Sequence, residues 1–495
     1  MAHRALLALS CLLLLAACLP IPDVHVPLVV RPPDYLVDPA SVLVETVWFD
    51  TPAAPETPAA LNRTGVRRSF LADVEADAVI VAMPGLFGGA TTFDVWARQL
   101  VASRPGLEVW AIDRRANALE DREGIRLAME AGDPEIASVY YGRGGDFVPV
   151  DPAEVEFMAQ WGLTVHLHDL HAVVLRARAA GAAVVLAGHS LGAGMVSVYP
   201  ALRLPPELGG GIGEDYVEGL ILFDGSIGRT GAFGRDDRRV GGLGLTVVPT
   251  IADLESGRVA PFMRMWFGYG PERFIRDAVA AVHAQLRPDE LAPPGAAAYP
   301  VTNRALFGIR TDDDYAATPI FSASVGHAVG ARFGGNLTAF LLTGSDGARS
   351  RTVAGLAEGA ERITWSAGDP SRDVTDLDAV IATWTDPDAD RAEWYFPLRL
   401  VVELLHLDPR LEGAPGFVPM QRLDVPALAI GASRGLVTSP AGFESYINTR
   451  PGTPISVTVI PGFTHTDIVT ARANPTVPIV LRWLRSEGVL GATAN

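Results

Sequence analysis

The chain has no lysine. All 40 of its basic residues are arginine, a preference that codon bias explains as readily as any structural demand and that carries no functional reading. Cysteine is almost as scarce: Cys11 and Cys18 are the two present, and both lie close to the amino terminus. A chain cleaved at that point keeps neither a free thiol nor a disulfide, so stability must come from packing. Positive charge is also in deficit. A formal net charge of −17 argues against a nucleic-acid partner, because phosphate binding needs a basic surface that releases counterions. The acidic balance favours solubility. Long apolar runs are missing as well, since the stretch beginning at Ala5 offers about 14 apolar residues, too few to span a bilayer comfortably. What remains is ordinary globular composition, 48% hydrophobic and 20% charged over 495 residues. One core with a large insertion accounts for that length.

The amino terminus has the layout of a secretory signal: a short basic start at Met1 to Arg4, an apolar stretch from Ala5 to Leu15, then small residues. Leu15-Ala16-Ala17-Cys18 resembles the bacterial lipobox, which implies a signal peptide over 1–17 and lipid on Cys18. The chain is then expected in the bacterial cell envelope, anchored to the membrane through Cys18 or secreted. Leu19, where an aspartate often retains lipoproteins at the inner membrane, points to outer-membrane sorting. The stretch 18–60 is rich in Pro and Ala and reads as a tether with one strand at Val42 to Phe49.

Beyond Ala78 short apolar runs alternate with helical stretches. Val79 to Met83, Val109 to Ile112, Ala183 to Ala187 and Gly219 to Phe223 have the unalternating pattern of strands buried on both faces of a parallel sheet. Val165 to Ala180 and Leu191 to Leu202 are the helices between them, and the alternation means an α/β fold. The rhythm stops after Phe223 and resumes with strands at Ala427 to Ile430 and Ile455 to Ile460, then a closing helix at Val477 to Ser486. The expected plan is a core in two parts, 61–225 and 423–495, with 226–422 as an inserted cap built partly from Phe262 to Phe267 and Trp394-Tyr395-Phe396.

Gly-x-Ser-x-Gly occurs twice, at Gly188 to Gly192 and at Gly431 to Gly435. Context separates the copies, because a serine exposed on a sharp turn needs a buried strand before it and a helix after it. Ala183 to Ala187 and Leu191 to Val198 give Ser190 both. Ser433 follows a strand, but Thr438-Ser439-Pro440 reads as the start of a later helix, which leaves Ser433 in a loop.

Gly188-His189-Ser190-Leu191-Gly192 resembles the nucleophile elbow of bacterial lipases and esterases in the α/β-hydrolase superfamily, over roughly Ala78 to Ser226 and Leu423 to Glu487. The resemblance implies a mostly parallel sheet flanked by helices, a cap between the sixth and seventh strands, and a serine, acid, histidine order along the chain. His283, His327, His406 and His465 are the histidines that follow the elbow and its next strand, and His465 in Pro461 to Asp467 stands where the family places its general base. The acid departs from the commonest pattern. The loop after the seventh strand, Gly431 to Val437, has no carboxylate, so Asp224 at the end of the sixth strand is the choice and Glu444 the alternative. Asp224 as a mere turn cap competes with that role. Oxyanion donors are expected at the Leu191 amide and, by position in Met83 to Gly89, at that of Leu86 or else Phe87.

Other clusters are read more plainly. His166, His168 and His171 lie on a crossover helix with no cysteine or paired carboxylate at ligand spacing, and Asp312-Asp313-Asp314 reads as a solvated loop, so neither a metal nor another cofactor is assigned. Asp113 or Arg114 could line the pocket rim, with a structural ion pair as the default. The expected activity is hydrolysis of a small or lipid-like carboxylic ester through an acyl-enzyme on Ser190. Peptidase, thioesterase or acyltransferase chemistry, or a non-catalytic envelope lipoprotein that keeps the fold, are the alternatives.

Overall fold

A computed structural model describes residues 33–227, 239–240, 246–264, 270–315, 321–335 and 351–490. The signal stretch, Cys18 and residues 265–267 of the apolar run at Phe262 therefore lie outside the described residues.

Eight strands form the central sheet: β1 (Leu43–Asp50), β2 (Arg63–Phe70), β3 (Ala78–Met83), β4 (Leu107–Asp113), β5 (Ala183–His189), β6 (Gly219–Phe223), β7 (Ala427–Arg434) and β8 (Ile455–Thr464). Their spatial order is β1-β2-β4-β3-β5-β6-β7-β8. β1 and β2 are antiparallel to their neighbours, and every pairing from β4 through to β8 is parallel. With helices on both faces, this is the α/β-hydrolase fold.

Alternate residues of the central strands feed two separate cores, as the two-residue period of a strand requires. Val79, Val81, Val184, Leu186, Leu220 and Leu222 pack with helices α2 (Leu163–Ala179) and α3 (Leu191–Val198). Ile80, Ala82, Val185, Ala187, Ile221 and Phe223 pack on the other side with α1 (Asp94–Ser103) and the closing helix near the carboxyl end (Thr476–Ser486). That double coverage explains why these strands read as continuous apolar runs.

The folded part begins earlier than composition suggests. The amides of Leu36 and Val37 donate to the Ala102 carbonyl at 2.9 and 3.1 Å, and β1 forms a full ladder with β2. The proline-rich stretch after β1 is pinned by Thr51 N–H to Asn62 C=O and by Ala54 N–H to Asn62 Oδ1, both 2.9 Å. The tether expected over 18–60 thus gives way to folded chain by about Leu36, because prolines at a hairpin end leave the sheet ladder intact. β2 itself carries Arg63, Arg67 and Arg68 and gives no apolar run. Arg67 pairs with Asp94 and Asp386, and Arg68 with Glu45 and Glu108.

Between β6 and β7 the described residues include α4 (Pro271–Leu286), α5 (Asn303–Thr311), α6 (Leu377–Thr385), α7 (Leu398–His406) and three short antiparallel ladders. α4 packs on α5 and α6 around Ala281, Phe307, Val325, Leu377 and Ile381. Trp394, Tyr395 and Phe396 are buried in the main core, so this insertion is continuous with the hydrolase body.

Candidate active site

β5 ends at His189, and Ser190 turns the chain directly into α3 with φ 57° and ψ −120°. A side chain larger than glycine is strained there, and such strain persists only where the surroundings fix it. They do so here. Ser190 N–H donates to the Phe223 carbonyl at 2.9 Å, and Ser190 C=O accepts from Ala193 N–H at 3.0 Å. A Cβ on Gly188 would meet the Gly192 carbonyl at 2.4 Å, and one on Gly192 would meet the Met83 carbonyl at 2.1 Å, so the two flanking glycines allow strand and helix to pass this closely. The second copy of the motif differs. Ser433 lies in the last residues of β7 rather than in a loop, no helix follows it at once, and its hydroxyl accepts the Gly462 N–H at 2.8 Å.

Asp224 follows β6, again at positive φ (45°), and is fully buried. Its Oδ2 accepts from His465 Nδ1 at 2.5 Å and from Leu436 N–H at 2.7 Å, while Oδ1 accepts from Val437 N–H at 2.8 Å and Ala432 N–H at 3.0 Å. The loop after β7 thus supplies amides to an acid that sits one strand away. Glu444, by contrast, is exposed at the start of the helix Glu444–Thr449.

His465 follows β8 and is buried. Its loop is held by Asp467, whose carboxylate accepts from Thr464 N–H (2.9 Å), Ser324 N–H and Oγ (both 3.0 Å) and Thr375 Oγ1 (2.7 Å). Two of those partner residues belong to the insertion. The Asp224 and His465 side chains are hydrogen-bonded to each other. Ser190 Oγ makes no hydrogen bond to the His465 ring among the described residues, yet both stand at the same end of the sheet, joined through His189. That residue carries no role in the motif reading. Its only signal in the sequence is a titratable ring at the end of an apolar strand.

Gly85 places the loop after β3 beside the serine, since a Cβ there would lie 2.8 Å from Ser190 Cβ and 3.4 Å from Oγ. Gly88 N–H closes a turn onto Gly85 C=O at 3.1 Å, and Phe87 takes φ 57° within it. Arg114, 1% exposed, reaches Gly88 C=O at 3.0 Å, Gly85 C=O at 3.1 Å and Pro84 C=O, and pairs with Glu393 at 2.7 Å. A trans peptide points its N–H opposite its C=O, so anchoring the Gly85 carbonyl turns the Leu86 N–H away from Arg114. Leu191, first residue of α3, has an N–H that precedes the first helical bond. Arg114 is therefore a buried support beneath the loop and not a rim residue.

The three consecutive aspartates cluster, but each is already engaged: Asp312 with the amides of Asp314, Val325 and Gly326, Asp313 with Arg434, and Asp314 with Arg372. Bound, and partly or fully buried, they are not the solvated loop that the sequence suggests. His171 bonds Tyr199 Oη at 2.7 Å and the Leu208 carbonyl at 2.8 Å as a packed core residue. Burial lowers His166 well below the usual histidine range, with Arg114 and Arg115 adding to the effect.

No protein-family model matches the chain, and no curated protein does. Solved structures with a similar fold include a putative lipase from Sulfolobus solfataricus, 14% identical over 93% of this chain and 98% of that one, TM-score 0.48. A monoglyceride lipase from Saccharomyces cerevisiae is 12% identical over 92% and 98%, TM-score 0.36. A haloalkane dehalogenase from Bradyrhizobium elkani is 12% identical over 90% and 99%, TM-score 0.36. At these values the likenesses carry no statement of activity.

Proposed function

We propose that the protein is a serine hydrolase that cleaves carboxylic esters through an acyl-enzyme on Ser190. The observation that carries this reading is the buried Asp224–His465 pair beside a serine held on a strained strand-to-helix turn. Ser190 Oγ attacks the ester carbonyl and gives its proton to His465 Nε2. Asp224 fixes the tautomer by accepting the Nδ1 proton and stabilises the imidazolium without taking that proton. The N–H groups of Leu191 and Leu86 receive the negative oxygen of the tetrahedral intermediate. Collapse expels the alcohol, protonated by His465, and leaves the acyl-serine. Water then attacks, His465 takes one proton from it, and the carboxylic acid departs as Ser190 regains its hydrogen.

An apolar acyl group is supported by the rings around Phe87, whose centroid lies 5.1 Å from Phe274, 5.6 Å from Phe396 and 5.8 Å from Phe321. Lipid anchoring at Cys18 is supported by the lipobox-like sequence before it. Labelling with a fluorophosphonate tests the enzyme reading: covalent labelling of the full chain that Ser190→Ala abolishes is the expected result. Equal labelling of both proteins, or of neither, would overturn it. For the anchor, Cys18→Ser should abolish incorporation of radiolabelled palmitate in a bacterial host, and undiminished incorporation would refute it.

A further inference from the structure

The loop beside Ser190 is not held by the hydrolase core alone. Glu393, in the insertion nearly 170 positions after β6, donates its N–H to the Phe87 carbonyl at 2.9 Å, and Gly89 N–H donates to the Arg391 carbonyl at 3.1 Å. Thr91 N–H and Oγ1 both donate to the Asp390 carbonyl, at 3.1 and 2.8 Å. Beneath this ladder the guanidinium of Arg114 holds three carbonyls of the same loop while its Nη1 meets Glu393 Oε2. The ring of Phe396 lies under it, 5.1 Å from the guanidinium carbon. Both members of the pair are fully buried. A buried ion pair is a poor stabiliser, since desolvation offsets its Coulomb gain, but its fixed fork imposes geometry.

Resting on the serine-hydrolase reading above, we propose that Arg114 and Glu393 are positioning residues through which the insertion sets the Leu86 amide at the oxyanion site. Glu393 fixes the rotation of the guanidinium, the guanidinium fixes the carbonyls of Pro84, Gly85 and Gly88, and the trans peptides carry that orientation to the amides on the opposite side. Neither residue touches substrate. Both act on a group that binds charge formed only in the transition state, so their loss lowers kcat and leaves KM alone.

The test compares Glu393→Gln, which keeps an acceptor oxygen but removes the charge, with Arg114→Lys, which keeps the charge but loses the fork. Hydrolysis of a nitrophenyl ester and the rate of fluorophosphonate labelling are measured beside thermal unfolding. Expected is a fall in kcat of about tenfold or more in both variants, KM within about twofold of wild type, slower labelling, and a cooperative unfolding transition retained. Retention of kcat within about twofold in both variants overturns the proposal while wild-type labelling at Ser190 leaves the hydrolase reading standing. A rise in KM at unchanged kcat also overturns it. If the wild type itself is not labelled, the failure belongs to the hydrolase reading instead.

Discussion

The imidazole of His189 lies over that of His465, with ring centroids 4.3 Å apart and planes 33° from parallel, and its Nε2–H donates to the His465 carbonyl at 2.9 Å. A carbonyl can only accept, so the proton of His189 is on Nε2. Burial lowers its affinity for a second proton well below the usual histidine range, and neighbouring His465 adds to this. His189, the residue before Ser190, is thus a neutral plate against the His465 ring, and on the proposed function it backs the general base.

Removing that plate should disturb catalysis more than binding. His189→Ala is expected to lower kcat by roughly ten- to hundredfold with little change in KM, because displacing a general base by an ångström costs rate on that scale. Steady-state kinetics on a nitrophenyl ester decide it. Wild-type kcat would show that His465 is held well enough by Asp224 and its own loop.

The acid is separable by a paired comparison. Asp224→Asn should cut kcat by about 10³ to 10⁴, since the amide favours the wrong imidazole tautomer, whereas Glu444→Gln should remain near wild type. Near-wild-type activity in Asp224→Asn would refute its role. Three amides, one from β7 and two from the loop after it, already converge on this carboxylate, so a large rate loss without gross unfolding is the outcome to look for in circular dichroism.

Much of this was legible because strong local signals coincide with the chemistry. The strands β3 to β6 are apolar throughout since both faces are covered, and Gly188 to Gly192 declares a turn that only close strand–helix passage demands. Asp224 is what the resemblance implies once the loop after the seventh strand holds no carboxylate, and its contact with His465 is what the fold adds. What stayed hidden depends on contacts distant in sequence. β2 buries Val66 between arginines whose partners are found only in the fold, and Glu393 meets Arg114 across 279 positions. His189 and Asp467 sit inside the quoted motifs, but His189 holds a residue of another loop, and Asp467 ties its own loop to Ser324 and Thr375 far back in the sequence.

Stability should depend on pH through Glu393. Burial pushes its carboxyl up from 4.5 to about 7, against the pull of Arg114 and with a further rise from Asp113. A folded-state value above the unfolded one means that the folded chain holds a proton the unfolded chain has lost, so this contribution is present below about pH 4.5 and disappears as the pH rises through about 7. The thermal midpoint of wild type, measured relative to that of Glu393→Gln, should therefore fall between about pH 5 and pH 8 and level off above. A gap that stays constant across that range would refute the assignment.

Asp467 should matter to both stability and rate. It is fully buried and accepts four hydrogen bonds, from Thr464 in the loop of His465 and from Ser324 and Thr375 in the insertion. Asp467→Ala strands those donors in a dry interior, where unsatisfied groups are expensive, and a loss of roughly 2 to 4 kcal/mol is expected in denaturant unfolding. Because the same carboxylate fixes the backbone one residue before His465, the variant that still folds should also be slow, with kcat reduced and KM little changed. Substituting Thr375→Val removes one donor and leaves the Thr464 N–H bond in place, so it should cost stability without a comparable cost in rate. Equal loss of rate in the two variants would mean that the insertion contacts, and not the loop contact, hold His465.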